Sequence, residues 1–171
     1  QIQLGFFPNS GGLPIVVNKQ LIGAVGVGGS APKPPVWSDE ICAHRALREV
    51  IGASVPDLPK DLPRQGDRAP AKVPVPKFTV TATPKTTLPA DWVVGGKGAA
   101  NVLDGNQISL AAAKKIAKVC RDWAASKGGT MSLYILDNAG EFVHVERMDG
   151  QTYNNTRTAL LKAQTALRTR Q

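Results

Sequence analysis

The sequence predicts an α+β domain, an antiparallel sheet with helices packed on it. Three observations carry this. Two segments alternate polar and apolar residues about short turns, as hairpins do. Three others repeat apolar residues with the helical period and have capping residues at their ends. Between them runs a proline-rich stretch unable to hold a helix. At 171 residues, with 42% apolar content, the chain suits one packed core.

The first part is 1–52. A Gly-rich turn at Asn9 to Gly12 precedes a hairpin with strands at Ile15 to Val17 and Leu21 to Val27, joined by Asn18, Lys19 and Gln20. Gly23, Gly26 and Gly28 weaken the second strand unless another backbone or a ligand approaches closely. A phosphate loop is disfavoured, because neither Walker nor G-x-G-x-x-G spacing is met and Pro32, Pro34 and Pro35 stand where a helix should open. The next helix starts at a Ser38 cap, with Asp39 and Glu40 in its first turn, where carboxylates suit the helix dipole. Ala43, Ala46, Leu47 and Val50 form its apolar stripe, and Gly52 stops it.

Residues 53–106 carry eight prolines, from Pro56 to Pro89, and read as an extended surface bridge. Phe78 to Thr83 alternates enough for an edge strand. A long bridge in a compact domain is expected to wrap its own domain or a neighbouring subunit.

The best-patterned part is 107–171. A helix from Ser109 to Lys127 ends at Gly128-Gly129. Met131 to Leu136 then pairs with Glu141 to Met148 across the turn Asp137 to Gly140. A last helix, capped near Asn154 or Asn155, turns Thr156, Ala159, Leu160, Ala163, Ala166 and Leu167 inward. Neither hairpin covers its apolar face alone, so residues 13–28 and 131–148 are expected in one sheet.

The formal charge of +8 and pI near 9.8 favour anionic partners. With 5% aromatic residues and no basic run or stacking motif, nucleic acid is disfavoured. No apolar run is long enough to span a membrane. Residue 1 is Gln and no signal-peptide core follows, so the chain reads as processed, trimmed or excerpted, and a mature secreted or periplasmic product fits. Cys120 lies on the stripe Ala113, Ile116, Ala117, Cys120, Trp123, Ala124, which reads as a buried thiol; a disulfide to Cys42 is the alternative in an oxidising compartment.

Five short motifs occur here: Asp137-x-x-Gly140, Arg147-Met-Asp-Gly150, Lys162-Ala-x-Thr-Ala166, Gly11-Gly-x-Pro-Ile15 and Gly23-Ala-x-Gly-Val27. Each is weak, but together they resemble the GlcG/HbpS-like family, the haem-degrading domain also found at the end of PduO-type proteins. Ile108 to Arg170 looks like that family's first half, and Phe6 to Gly52 like its second. The halves stand in swapped order, as in a circular permutant or a segment excerpted from a longer or tandem chain. The resemblance implies a PAS- or profilin-like sheet, binding of haem or small organic ligands, and a homo-oligomer.

Catalytic constellations are scarce. With only His44 and His144 there is no Ser/His/Asp or Cys/His set. Both histidines are candidate haem-iron ligands. Period two places His144 with Phe142 and Glu146, where Phe142 would cover a porphyrin face, although a half-exposed strand histidine is the plainer reading; His44 lies at the margin of its helix stripe. The segment Arg147 to Asn155 is the candidate anion site, a Gly-containing turn feeding a helix N-terminus beside an Arg fork. Asp149 is either part of it or a partner of Arg147. Lys162, Gly11, Gly12 and Asp39 are expected to come back to the same region. Three functions follow: binding of haem or another small anionic ligand; an enzyme or accessory subunit acting on a small hydroxy acid or aldehyde through Arg147, Asp149 and Lys162; or an oligomeric interaction module without a ligand.

Overall fold

The computed structural model describes residues 11–30, 38–52, 55–57, 88–95 and 106–169. Seven elements follow in order: β1 (Gly12–Val17), β2 (Gln20–Gly28), α1 (Ser38–Val50), α2 (Leu110–Ser126), β3 (Ser132–Asp137), β4 (Phe142–Arg147) and α3 (Tyr153–Thr169). The strands form one antiparallel sheet in the order β1-β2-β3-β4. The fold is therefore α+β, and the two hairpins share one sheet through the β2–β3 ladder, which runs from Gly23↔Asp137 to Gly28↔Ser132. The expected strand at Phe78 to Thr83, most of the bridge, and Asn9 and Ser10 of the Gly-rich turn lie outside the described residues.

The first hairpin turns on two residues rather than three. Asn18 and Lys19 both take positive φ, 49° and 63°, and Gln20 already pairs with Val17. Positive φ at both turn positions matches the right-handed twist of the strands. A bulge between Ile15 and Val16 leaves Ile22 opposite no β1 residue, and the Ile22 carbonyl accepts from Ile108 N at 2.9 Å.

Helices cover both faces of the sheet. On one, Leu13, Ile15, Val25, Val27, Leu133 and Ile135 meet the buried stripes of α1 (Cys42, Ala43, Ala46, Leu47) and α2 (Ala113, Ile116, Ala117, Cys120, Ala124). On the other lies α3, whose backbone rests on glycines. A Cβ at Gly26 would overlap Ala159 O, one at Gly28 would overlap Asn155 O, and one at Gly12 would overlap Lys162 O. The glycines that weaken β2 as a strand thus admit the α3 backbone. Gly23 points to the other face, where a Cβ would sit 3.1 Å from Ile108 Cγ2.

Cys42 and Cys120 form a disulfide between α1 and α2, their Cα atoms 5.1 Å apart. The reading of Cys120 as a free buried thiol is therefore replaced by the oxidised alternative. The flanks of the bridge close on the same core: Val55 and Leu88 are buried in it and Trp92 packs against it, while Val93 bridges to Ile108. α2 is capped by Ser109, whose Oγ accepts from Ala112 N at 3.1 Å. Helix α3 begins earlier than the two asparagines suggested. The cap is Thr152, whose Oγ1 accepts from Asn155 N at 3.2 Å, because a hydroxyl one position before the first helical residue reaches the orphan N–H groups of the first turn.

Candidate functional site

Four of the predicted residues meet where β1, the end of β2, α1 and α3 converge. Lys162, only 6% exposed, extends from α3 and pairs its Nζ with Asp39 Oδ2 at 2.7 Å. It also donates to Val27 O at 3.0 Å. Asp39, at the start of α1, accepts with its other oxygen from Ser30 N and Ser30 Oγ, both at 2.8 Å. Next to it Glu40 accepts the Gly11 N–H at 2.5 Å. Burial pushes the Glu40 carboxyl above its ordinary range, against the Gly11 N–H and the Lys162 charge that pull it down. Gly11, at φ 98°, is required there: a Cβ would stand 2.6 Å from Asp39 Cβ. Each charged side chain in this cluster has a partner from the chain itself, and the Lys162 charge is neutralised by Asp39. It is a clasp that locks α1 and α3 to the sheet, with no room at Gly11 or Gly12 for a ligand atom.

The turn after β4 meets the same end of β2 from the other side. Gly150 takes φ 85° and Gly29 φ 77°. Gln151, buried, donates from Nε2 to Gly29 O at 3.1 Å, to Thr130 Oγ1 at 2.8 Å, and to Thr130 O. Arg147 is exposed and donates from Nη2 to Gln151 O at 2.6 Å. No carboxylate among the described residues lies within ion-pairing distance of it, and Asp149 is exposed and unpaired. The alternative of an Arg147–Asp149 pair is thus not what the structure holds. One nitrogen fixes the guanidinium to the turn, and the rest of the fork faces outward beside the first turn of α3. The N-terminal turns of α1 and α3 therefore both reach the Gly28 to Ser30 corner, through Asp39 to Ser30 and through Asn155 beside Gly29.

The histidines lie apart from this corner. His44, on α1, places Nε2 2.7 Å from Pro56 O. His144, on β4, has a side chain 20% exposed, and its Nε2 lies 3.4 Å from Glu146 Oε2; Glu146 in turn accepts from Arg121 Nη1 at 2.8 Å. Phe142 does not share the His144 face. A register shift between Ile135 and Leu136 sets His144 opposite Ile135 but Phe142 opposite Leu136, and the Phe142 ring lies 5.9 Å from Tyr134. The bulge breaks the period of two, so the expected aromatic cover for a porphyrin is on the wrong side. Among the described residues no three His, Cys, Asp or Glu side chains gather to hold a metal.

Sequence reasoning contains Gln151 only within the Arg147 to Asn155 segment, with no role of its own, and misses Ser30 and Glu40 as parts of the corner. Gln151 follows a Gly-containing turn without any pattern marking it, and Ser30 meets Asp39 only through tertiary folding. Glu40 had a signal, since a carboxylate in a first helical turn is placed to meet N–H groups, but its partner Gly11 is 29 residues away.

The architecture defines a class: a small α+β domain with one four-stranded antiparallel sheet, an α1/α2 layer on one face and α3 on the other. Within it, residues 108–171 match the family described as Haem degrading protein HbpS-like, which covers α2, β3, β4 and α3 and bears out the resemblance to the GlcG/HbpS-like family there. No curated protein and no solved structure matches the chain.

Proposed function

We propose that this chain is a binding protein for a small anionic ligand, with its anchor at the Arg147 to Asn155 turn. The observation that carries the reading is the Arg147 fork, fixed by one bond to Gln151 O and free of any carboxylate among the described residues. A guanidinium so oriented suits a carboxylate bidentately, and the adjoining helix start adds a favourable dipole. Haem is one such ligand through its propionates, in keeping with the family match at 108–171. Iron coordination is not supported, because His144 lacks its aromatic cover and His44 Nε2 is engaged by Pro56 O. The enzyme reading loses Lys162, which is closed inside the clasp with Asp39. We read residues 6–52 as the family's second half placed first, an order that the direct β2–β3 pairing accommodates. The Cys42–Cys120 bond favours a secreted or periplasmic setting, where disulfides persist.

The test compares haemin with iron-free protoporphyrin IX, which keeps the propionates. Equal affinities, with Arg147→Ala weakening both by about 1.5–3 kcal/mol, are expected for charge-assisted hydrogen bonds. Loss of binding on removing the iron, together with a Soret band altered by His144→Ala, would return the histidine to the site.

A further inference from the structure

On the α1/α2 side of the sheet a cleft of about 670 Å³ opens between α1, α2 and Trp92 of the segment 88–95. Its size lies within the range of small-molecule sites. Its apolar wall is Trp92, Trp123, Val50 and Val119, all half-buried and packed from behind against the core. Its rim is cationic. Lys115, Lys118, Asp122 and Trp123 recur on one face of α2 at helical spacing, with Arg45 and Glu49 across from them on α1 and Lys127 at the end. Asp122 is answered by Lys118 at 2.5 Å, whose hydrogen bond holds that carboxyl below its ordinary range. Arg45, Lys115 and Lys127 have no carboxylate partner among the described residues, which leaves Glu49 as the one acid on the rim against three cations.

We propose that this cleft binds a planar aromatic carboxylate, its ring against the Trp92 and Trp123 indoles and its acid group toward Lys115, with Lys127 at the far end of α2 adding to the positive field of the rim. Two indoles with their backs on a packed core offer flat apolar area at little entropic cost, which a planar ring uses better than an alkyl chain. The excess of unpaired cations selects an anion over its neutral analogue. Nothing in this reading depends on the Arg147 turn. The two sites are separate, and the cleft contains neither histidine.

The experiment uses 2-naphthoate, with 2-naphthalenemethanol as the uncharged analogue and acetate as the charge without the ring. Two of the three tryptophans in the chain line the cleft, so tryptophan fluorescence reads occupancy directly. Saturable quenching by naphthoate alone is expected, weakening as salt rises. The surface pair Lys115→Gln/Lys127→Gln should raise Kd about fivefold, the scale for one partly exposed ionic contact together with the weakened field of the rim. Trp92→Phe/Trp123→Phe, which keeps apolar volume, should remove most of the quench. Equal quenching by the alcohol, an unchanged Kd in the lysine pair, or an undiminished quench without the two indoles overturns the proposal. So does the absence of saturation at millimolar naphthoate, in which case the cleft is not a ligand site for this chemistry.

Discussion

Lys162 shows what one buried charge does in this fold. Its Nζ is bonded to Asp39 and to Val27 O, so Lys162→Met leaves a carboxylate at a half-closed site facing an apolar methyl. Removing one partner of a buried pair costs far more than the pair contributes; because Asp39 keeps its two bonds from Ser30, the loss expected in urea denaturation is about 2–3 kcal/mol. Asp39→Asn added to Lys162→Met should cost less than the two changes measured separately. Glu40 gives a pH signature. Its folded pKa is raised by burial, so its contribution favours the fold below its unfolded pKa and is lost as pH rises through the folded value. Glu40→Gln, which retains an acceptor for Gly11 N–H, should gain in melting temperature relative to the parent as pH rises from about 4 to 7. A constant difference over that range would mean the burial of Glu40 carries no proton linkage.

At the scale of elements, the contact between β2 and α3 depends on the absence of side chains. Gly26→Ala places a methyl where Ala159 O and Ala163 N now lie. Since both are backbone atoms of a helix, neither can swing aside, and a loss of about 3 kcal/mol is expected by denaturant titration, at the upper end for overpacking. The glycines at 23, 26 and 28 are legible in the sequence as marks of a close approach; that a helix comes to Gly26 and Gly28 while Gly23 meets Leu136 O and Ile108 is not, because spacing does not say what comes near. Helices and strands emerged from periodicity, since α1, α2 and α3 each bury a stripe that the helical period marks. Periodicity misled at β4, where one bulge moved Phe142 away from His144; no pattern announces a bulge inside six residues. At the site, the convergence of Gly11, Gly12, Asp39 and Lys162 was readable from motifs, whereas their closure into a self-satisfied clasp depended on distances of 2.7 to 3.0 Å that no sequence shows.

For the molecule as a whole, β4 is the last strand of the sheet among the described residues, and its Phe142 and Val145 are exposed, as is Tyr153 of α3. Exposed apolar groups beside an open ladder invite a partner, so light scattering is expected to find an oligomer larger than 18.1 kDa, with Val145→Lys shifting it towards monomer. The Cys42–Cys120 bond spans 78 residues; loop closure of that length is worth about 4 kcal/mol in the chain-entropy account, and Cys42→Ser/Cys120→Ser should lose stability on that scale.

The same bond bears on how fast the sheet can assemble. Gly28 and Ser132, the last rungs of the β2–β3 ladder, are about 104 residues apart along the chain, and closing so long a loop slows the search for non-local pairing. With Cys42 already tied to Cys120, the shortest covalent route between those two rungs falls to about 26 residues, which removes about 1 kcal/mol of closure entropy. The cross-link between two helices is thus also a kinetic shortcut for the pairing of two strands that contain neither cysteine. Stopped-flow refolding of the oxidised chain should run several-fold faster than that of the reduced chain, while the proline-limited phases stay the same.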